Sequence, residues 1–260
     1  MVRSWLHLIL LLVSASAFAS GTAVHLEHFD PDPRDLPSLQ NGARVFFNYC
    51  AGCHSLKYQR YEKTADDLGI PHDVALESLI FTGQKIGGLM ETSMPAASSA
   101  WFGAAPPDLT MVTRVRGSDW VYTYLKSFYL DESRPFGVNN VVFKNVGMPN
   151  VLQELQGVQR LGTYPRPKLN SDGAEQRDPL QSGKKILVPT EQVLELELNS
   201  GAMTPEEFDA TTRDLVNFLT YVGEPSRLDR QRIGVYVILF LVVLYVFTFL
   251  LGREFSNHKH

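Results

Sequence analysis

The strongest feature in the pattern of hydrophobic and polar positions is an apolar run close to the C-terminus. Residues 233–252 (IGVYVILFLVVLYVFTFLLG) contain no charged side chain, and Arg232 and Arg253 flank them. About 20 apolar residues in a helix cover the ~30 Å hydrocarbon core of a bilayer, and little chain follows that could surround the run. The pattern predicts one membrane-spanning helix at 231–252 and a short tail at 253–260. A buried helix of a soluble domain is the alternative.

A shorter apolar run, residues 8–13, lies near the N-terminus. Arg3 precedes it, and small residues ending in Ala17-Phe18-Ala19 follow it. This layout is typical of a secretory signal peptide, and the run is too short to span a bilayer. We predict that residues 1–19 are cleaved, with a permanent N-terminal anchor as the alternative. Export would then place residues 20–230 in the periplasm and the tail in the cytoplasm, so that the chain crosses a bacterial inner membrane once.

Two amphipathic helices are predicted at the two ends of the exported part. In the first, Gly42, Val45, Phe46 and Tyr49 recur at helical spacing. The second begins with Thr204 as N-cap, Pro205 and two glutamates, and it continues with apolar residues at helical spacing, namely Phe208, Leu215, Phe218 and Val222. We expect the two helices to cross, with Gly42 allowing close approach.

Composition and charge narrow the range of partners. The chain has 24 basic and 28 acidic residues, and its net charge is −4. A mildly acidic surface argues against nucleic acid and permits docking of a basic protein. Glu191, Glu195 and Glu197 are candidates for such docking, and a solvated helix face is the alternative interpretation. Membrane lipid is the other predicted partner.

The most informative motif is Cys50-Ala-Gly-Cys53-His54, which contains the only two cysteines of the chain. The spacing C-x-x-C-H places two thiols where they can form thioethers with one haem, while the adjacent imidazole becomes an axial iron ligand. A zinc site is an alternative, but the other histidines do not supply a second ligand pair. A thioredoxin-like dithiol is another, but it would need a βαβ surround instead of the predicted helix. The motif predicts one covalently bound haem c.

The residues alone leave two candidates for the second axial ligand of the iron. A methionine there would close the iron for electron transfer, whereas an open position would invite oxygen or peroxide. Met94 in SMPAA and Met148 in GMPN both precede a proline in loop-like contexts. Spacing from His54 favours Met94 in a compact domain, and Met148 remains the alternative candidate.

Four motifs together resemble one family. The haem motif, FGAAPPDLT at 102–110, RVRGSDW at 114–120 and VGMPN at 146–150 come in this order before a single C-terminal span. This combination is similar to the cytochrome c1 family, over nearly the whole exported part and the anchor. The resemblance implies a mainly α fold, a c-type cytochrome haem domain with long loop insertions plus one C-terminal transmembrane helix. It also implies that Met148 is the second axial ligand, that Pro107 lies against the haem, and that Arg116 pairs with a haem propionate.

The resemblance also implies a function. The chain would accept an electron from the Rieske iron–sulfur protein and pass it to a soluble or membrane-bound c-type cytochrome, beside cytochrome b, in the quinol-oxidising, proton-translocating bc1 complex. The complex would be the enzyme, and this chain would transfer electrons only. A stand-alone anchored carrier to a terminal oxidase or nitrogen-oxide reductase is the alternative, and a haem sensor or peroxidase is another.

Some bacterial relatives staple the loop near the methionine with an extra cysteine pair. This chain has none, so packing alone is expected to hold that loop.

Overall fold

The computed structural model describes residues 24–167, 176, 184–185 and 187–257. The predicted signal peptide and the last three residues of the predicted tail lie outside these residues. The helices are α1 (Leu36–Tyr49), α2 (Tyr61–Leu68), α3 (His72–Ser78), α4 (Ser99–Phe102), α5 (Val112–Arg116), α6 (Ser118–Lys126), α7 (Gln153–Gln156), α8 (Pro205–Gly223) and α9 (Arg227–Asn257). The prediction of a mainly α fold is confirmed.

Short antiparallel β-strand pairs occur between the helices. The strands are β1 (Leu56–Arg60), β2 (Leu89–Met90), β3 (Phe128–Leu130), β4 (Val138–Asn140), β5 (Gln159–Pro167) and β6 (Leu187–Leu196). They pair as β1–β2, β3–β4 and β5–β6. The β1–β2 pair encloses α2 and α3, whereas the other two pairs have no helix between their strands among the described residues. The main core lies between α1, α6 and α8.

Helix α8 begins where the sequence predicts. The Thr204 hydroxyl accepts a hydrogen bond from the Glu207 N–H at 3.2 Å, and the Glu207 carboxylate accepts one from the Thr204 N–H at 2.9 Å. This reciprocal capping box satisfies two amide groups that the first turn would leave without partners. Phe208, Leu215 and Phe218 are buried along one face of the helix, as the periodicity predicts.

Helices α1 and α8 cross at Gly42. A Cβ atom on Gly42 would lie 2.0 Å from the backbone oxygen of Asp214, so only glycine permits this approach. Asn41 Nδ2 donates to the Asp214 carboxylate at 2.6 Å, and the rings of Phe46 and Phe218 pack 5.9 Å apart. The predicted crossing is therefore confirmed, and it fixes the position of the C-terminal end of α1, where the cysteines begin.

Replacing Gly42 with alanine is expected to lower the free energy of unfolding by about 2–3 kcal/mol, because the two helix backbones must move apart to admit the methyl group. Helix propensity alone would favour alanine by about 1 kcal/mol. A loss of stability would therefore indicate the steric clash at the crossing, and a gain would indicate helix propensity alone. Urea unfolding of the detergent-solubilised protein measures the effect. Gly87→Ala is the control, because a Cβ there would meet only a flexible carboxylate atom at 3.6 Å. Equal stability of the two variants would contradict the close crossing.

The hairpin formed by β5 and β6 differs from the prediction. The alternative that placed the acidic residues on a solvated helix face is wrong, because Glu191 and Glu195 lie in strand β6 and Glu197 follows it. Pairing with β5 along the full length of both strands overrides the moderate helix propensity of glutamate and leucine. Glu197 is also paired, since Arg160 Nε donates to its carboxylate at 2.6 Å.

Helix α9 carries the predicted apolar run. It begins at Arg227, four residues before the predicted span, and continues to Asn257. By length and composition it can cross a membrane, and none of its most apolar stretch is buried. The alternative of a buried helix in a soluble domain is therefore wrong, and the apolar side chains are left for lipid to cover.

Candidate haem site

The two cysteines lie in one tight turn at the end of α1. The Cys53 and His54 N–H groups both donate to the Cys50 carbonyl oxygen, at 3.0 and 2.9 Å. Cys50 is buried, Cys53 is half-buried, and both thiols are free. Burial, and secondarily Cys53, raises the pKa of Cys50 to about 12. This is the opposite of the lowered pKa that a reactive dithiol needs, so the thioredoxin-like alternative loses support.

Among the described residues, no group of three or more His, Cys, Asp or Glu side chains could hold a metal ion. A structural zinc site normally has four protein ligands. The alternative of a structural zinc site therefore has no geometric support in this part of the chain.

His54 is held in one orientation by a backbone carbonyl. Its Nδ1 lies 2.8 Å from the carbonyl oxygen of Pro107, so Nδ1–H donates and Nε2 is left with its lone pair available. Burial lowers the pKa of His54, against the opposing effects of this hydrogen bond and of Asp108, and a neutral ring can bind a metal. An axial histidine typically has its second nitrogen fixed in this way.

The proline-rich segment is itself fixed to the residues after His54. The Leu109 N–H donates to the Ser55 carbonyl at 2.9 Å, and the Lys57 N–H donates to the Asp108 carboxylate at 2.8 Å. The other carboxylate oxygen of Asp108 accepts from the Thr110 N–H at 3.0 Å. Asp108 thus clamps two backbone segments and positions the Pro107 carbonyl. Sequence reasoning missed this role, although an aspartate beside prolines in a loop can bond the backbone two residues further on, as Asp108 does at Thr110.

Met148 lies in a separate apolar cluster with Phe128, Val138 and Val146. The hydroxyl of Tyr124 donates to its sulfur at 3.3 Å. Tyr124 is one helical turn from Trp120, and their rings stack at 5.0 Å and 8°. Helix α6 therefore presents a row of aromatic side chains that ends at the methionine sulfur.

Arg116 stands at the other end of this row. Its guanidinium lies 5.1 Å from the centroid of the Trp120 ring, which is a cation–π contact. Arg116 is exposed, and no carboxylate in the described part of the chain forms an ion pair with it. Its charge is therefore available to an external carboxylate.

The predicted site residues fall into two groups. Cys50, Cys53, His54 and Pro107 are joined by the hydrogen bonds of the attachment turn, and Arg116 and Met148 are joined through the row on α6. Tyr124 packs both against the main core and against the cluster that contains Met148. Met94 instead lies beside the attachment turn, where Thr92 Oγ1 accepts from its N–H at 3.1 Å and donates to the Gly52 carbonyl at 2.8 Å.

A cleft of about 250 Å³ adjoins the attachment turn. Its walls include His54 and, from the surrounding core, Phe47, Tyr61 and Met90. This volume lies just below the range typical of cofactor and small-molecule sites, about 300–1,000 Å³. The cleft does not reach Pro107, Arg116 or Met148, so the fit to a haem rests on the donor set: two thiols, a free Nε2 and a thioether sulfur.

The loop that carries Met148 is held by hydrogen bonds. Asn140, which is fully buried, accepts from the N–H groups of Val142 and Phe143 at 2.9 and 3.0 Å. Asn139 accepts from the Asn145 N–H at 2.8 Å, and Arg134 donates to the Asn145 carbonyl at 2.9 Å. The expectation that packing alone holds this loop is therefore wrong: buried asparagines mimic backbone groups and fix the turn.

Asn140→Ala is expected to lower the free energy of unfolding by about 2–4 kcal/mol. The reason is that several buried backbone groups would lose the hydrogen bonds that they form with the Asn140 side chain. These groups include the Tyr124 carbonyl, to which Asn140 Nδ2 donates at 2.8 Å. Urea unfolding checks the effect. The matched control is Asn48→Ala, because Asn48 is exposed and donates only to the Arg44 carbonyl. A cost no larger than that of the control would contradict the structural role of Asn140.

The fold and the site together define a class. A mainly helical domain with a C-x-x-C-H turn, a histidine fixed through Nδ1 and an unburied apolar helix at its end is a membrane-anchored c-type cytochrome. The model of the Cytochrome C1 family matches residues 90–259. The chain belongs to the cytochrome c1 family, which uses a c-type haem for electron transfer in a bc1-type complex.

Similarity to individual proteins extends over most of the chain. It is 47% identical to cytochrome c1 of Allochromatium vinosum, over 96% of each protein. It is 38% identical to a Nitrosomonas europaea protein named ammonia monooxygenase gamma subunit, over 98% of each. It is 26% identical to cytochrome c1 of Rhodospirillum rubrum, over 81% of this chain and 77% of the relative. These longer matches include the attachment turn, which precedes the segment that the family model covers.

Proposed function

We propose that one haem c is bound through thioethers to Cys50 and Cys53, with His54 and Met148 as the axial ligands of its iron. His54 directly follows the cysteine pair. The observation that carries this proposal is the 2.8 Å hydrogen bond from His54 Nδ1 to the Pro107 carbonyl. This bond fixes the tautomer in which Nε2 is free to bind iron. The family to which the chain belongs carries a c-type haem, which supports the same assignment.

When bound, the haem stores and releases one electron. The residues of this chain hold it and tune it. Pro107 keeps the plane of the His54 ring constant, so that oxidation and reduction require little rearrangement. Arg116 is held against Trp120 and offers a bidentate partner to a propionate. Met148 would supply the second protein ligand to the iron, which would favour electron transfer over binding of oxygen.

The fuller proposal assigns partners and location. The chain accepts an electron from a Rieske iron–sulfur protein and passes it to a c-type cytochrome, beside cytochrome b, as a subunit of a quinol:cytochrome c reductase. Residues 1–19 serve as a cleaved signal peptide, residues 20–230 form the periplasmic haem domain, residues 231–252 cross the inner membrane, and residues 253–260 are the cytoplasmic tail. The exposed apolar surface of α9 supports the anchor, and tethering raises the local concentration of the domain near its partners.

Purification of the full chain from its native membrane in mild detergent tests this function. We expect a reduced-minus-oxidised spectrum of a c-type haem, a mass that includes one covalent haem, and stoichiometric cytochrome b and iron–sulfur protein. A monohaem protein without these companions would support the stand-alone carrier. Companions that form an ammonia-oxidising enzyme would match the name of the Nitrosomonas relative instead. Carbon monoxide binding at neutral pH would favour a sensor or peroxidase.

A further inference from the structure

Tyr124 is the residue whose side chain reaches the sulfur of Met148. Its hydroxyl oxygen lies 3.3 Å from Sδ, within the range for a hydrogen bond to sulfur. A phenol hydroxyl is a donor, and a thioether sulfur has only acceptor lone pairs, so the direction of the bond is unambiguous.

The position of the Tyr124 ring is fixed on several sides. Trp120 stacks on it at 5.0 Å, and Phe128 meets it edge-on at 5.1 Å and 68°. Its backbone carbonyl accepts from Asn140 Nδ2 at 2.8 Å, so the network that holds the Met148 loop also holds the residue that contacts Met148. With the ring held in this way, the hydroxyl has little freedom to leave the sulfur.

We propose that Tyr124 is a positioning residue that orients the Met148 sulfur and tunes its strength as an iron ligand. A thioether sulfur has two lone pairs. The hydroxyl of Tyr124 occupies one of them, and this leaves the other available to a metal. The same hydrogen bond withdraws electron density from sulfur, which makes it a weaker donor. A weaker donor stabilises the reduced iron relative to the oxidised iron and raises the reduction potential. This inference rests on the proposed axial role of Met148.

Tyr124→Phe removes the hydroxyl but keeps the ring contacts with Trp120 and Phe128. The variant therefore isolates the effect of the hydrogen bond to Met148. The midpoint potential of the purified, detergent-solubilised holoprotein is measured by equilibrium redox titration. A weak hydrogen bond contributes roughly 0.5–1 kcal/mol, so the equilibrium constant for reduction is expected to fall by a factor of about 2 to 5. We also expect the sulfur-to-iron charge-transfer band of the oxidised protein to persist at a shifted wavelength.

The control is Tyr58→Phe, because Tyr58 is 69% exposed and removal of its hydroxyl leaves no buried partner. This control should match the wild type in potential and in band position. If Tyr124→Phe also matches the wild type in both, the tuning role is overturned. If little Tyr124→Phe holoprotein accumulates, the band position is measured on the haem-containing fraction and decides in the same way.

Failure of this inference is distinguishable from failure of the proposed ligand set. If Met148→Leu changes neither the band nor the potential, Met148 is not an iron ligand, and the ligand set given under the proposed function is wrong. If Met148→Leu abolishes the band while Tyr124→Phe leaves it and the potential unchanged, Met148 is the ligand and Tyr124 is a packing residue only.

Discussion

Replacing Cys53 with alanine is expected to abolish the accumulation of stable covalent holoprotein. Cys50 and Cys53 lie in one hydrogen-bonded turn, and the proposed haem needs both thiols to be fixed beside His54. With one thioether lost, a porphyrin in the site is free to pivot, and the apoprotein is left with an open site beside its main core. Intact-mass spectrometry and haem staining of the denatured protein measure the covalently bound group.

Gly52→Ala is the matched control in the same turn. A Cβ atom at this position would meet no other atom within 4 Å, so the variant should retain haem at the wild-type level. If Cys53→Ala accumulated protein with normal mass and a normal spectrum, the assignment of the C-x-x-C-H motif to haem would be wrong. Loss of haem in both variants would instead indicate that the turn tolerates no change.

Met148→Leu is expected to have the second-largest effect. Leucine preserves the volume in the apolar cluster but offers no lone pair, so the second axial position opens or is taken by another ligand. We expect loss of the sulfur-to-iron charge-transfer band, carbon monoxide binding by the reduced protein, and a potential lowered by on the order of 0.1 V or more, within the ~0.8 V over which axial ligands set haem potentials.

Met94→Leu is the control for this prediction, because Met94 is the competing candidate and lies beside the attachment turn. It should keep the band and the potential of the wild type. The opposite pattern would assign the ligand to Met94, and a wild-type spectrum in both variants would require a different residue. Optical spectra and redox titrations of the two variants decide between these outcomes.

The helices and their crossing could be predicted because the signals are local. Thr204, Pro205 and Glu207 specify the start of α8 through groups that lie within one turn, and the structure shows each of these contacts. Gly42 on an apolar face indicates a close approach, and the backbone of Asp214 occupies the space that a side chain would need. The apolar run of α9 is likewise readable from composition alone.

The remaining features could not be predicted because they depend on distant backbone groups. Pro107 acts through its carbonyl, which every residue has, so its residue type gives no hint of the hydrogen bond to His54. The pair Asn139–Asn140 can specify a turn only when β3 and β4 are in register. The hairpin of β5 and β6 was missed because glutamate and leucine favour helix locally, and only strand pairing reverses this preference.

The packing of α1 against α8 has a consequence for the order of biogenesis. Helix α1, which ends at the cysteine turn, is made early, but helix α8, which covers its apolar face, is made only just before the long apolar helix α9. Contacts between segments so far apart in sequence form late, and until then α1 has no partner at Gly42. The turn that carries Cys50 and Cys53 is therefore synthesised long before the helix that packs beside it.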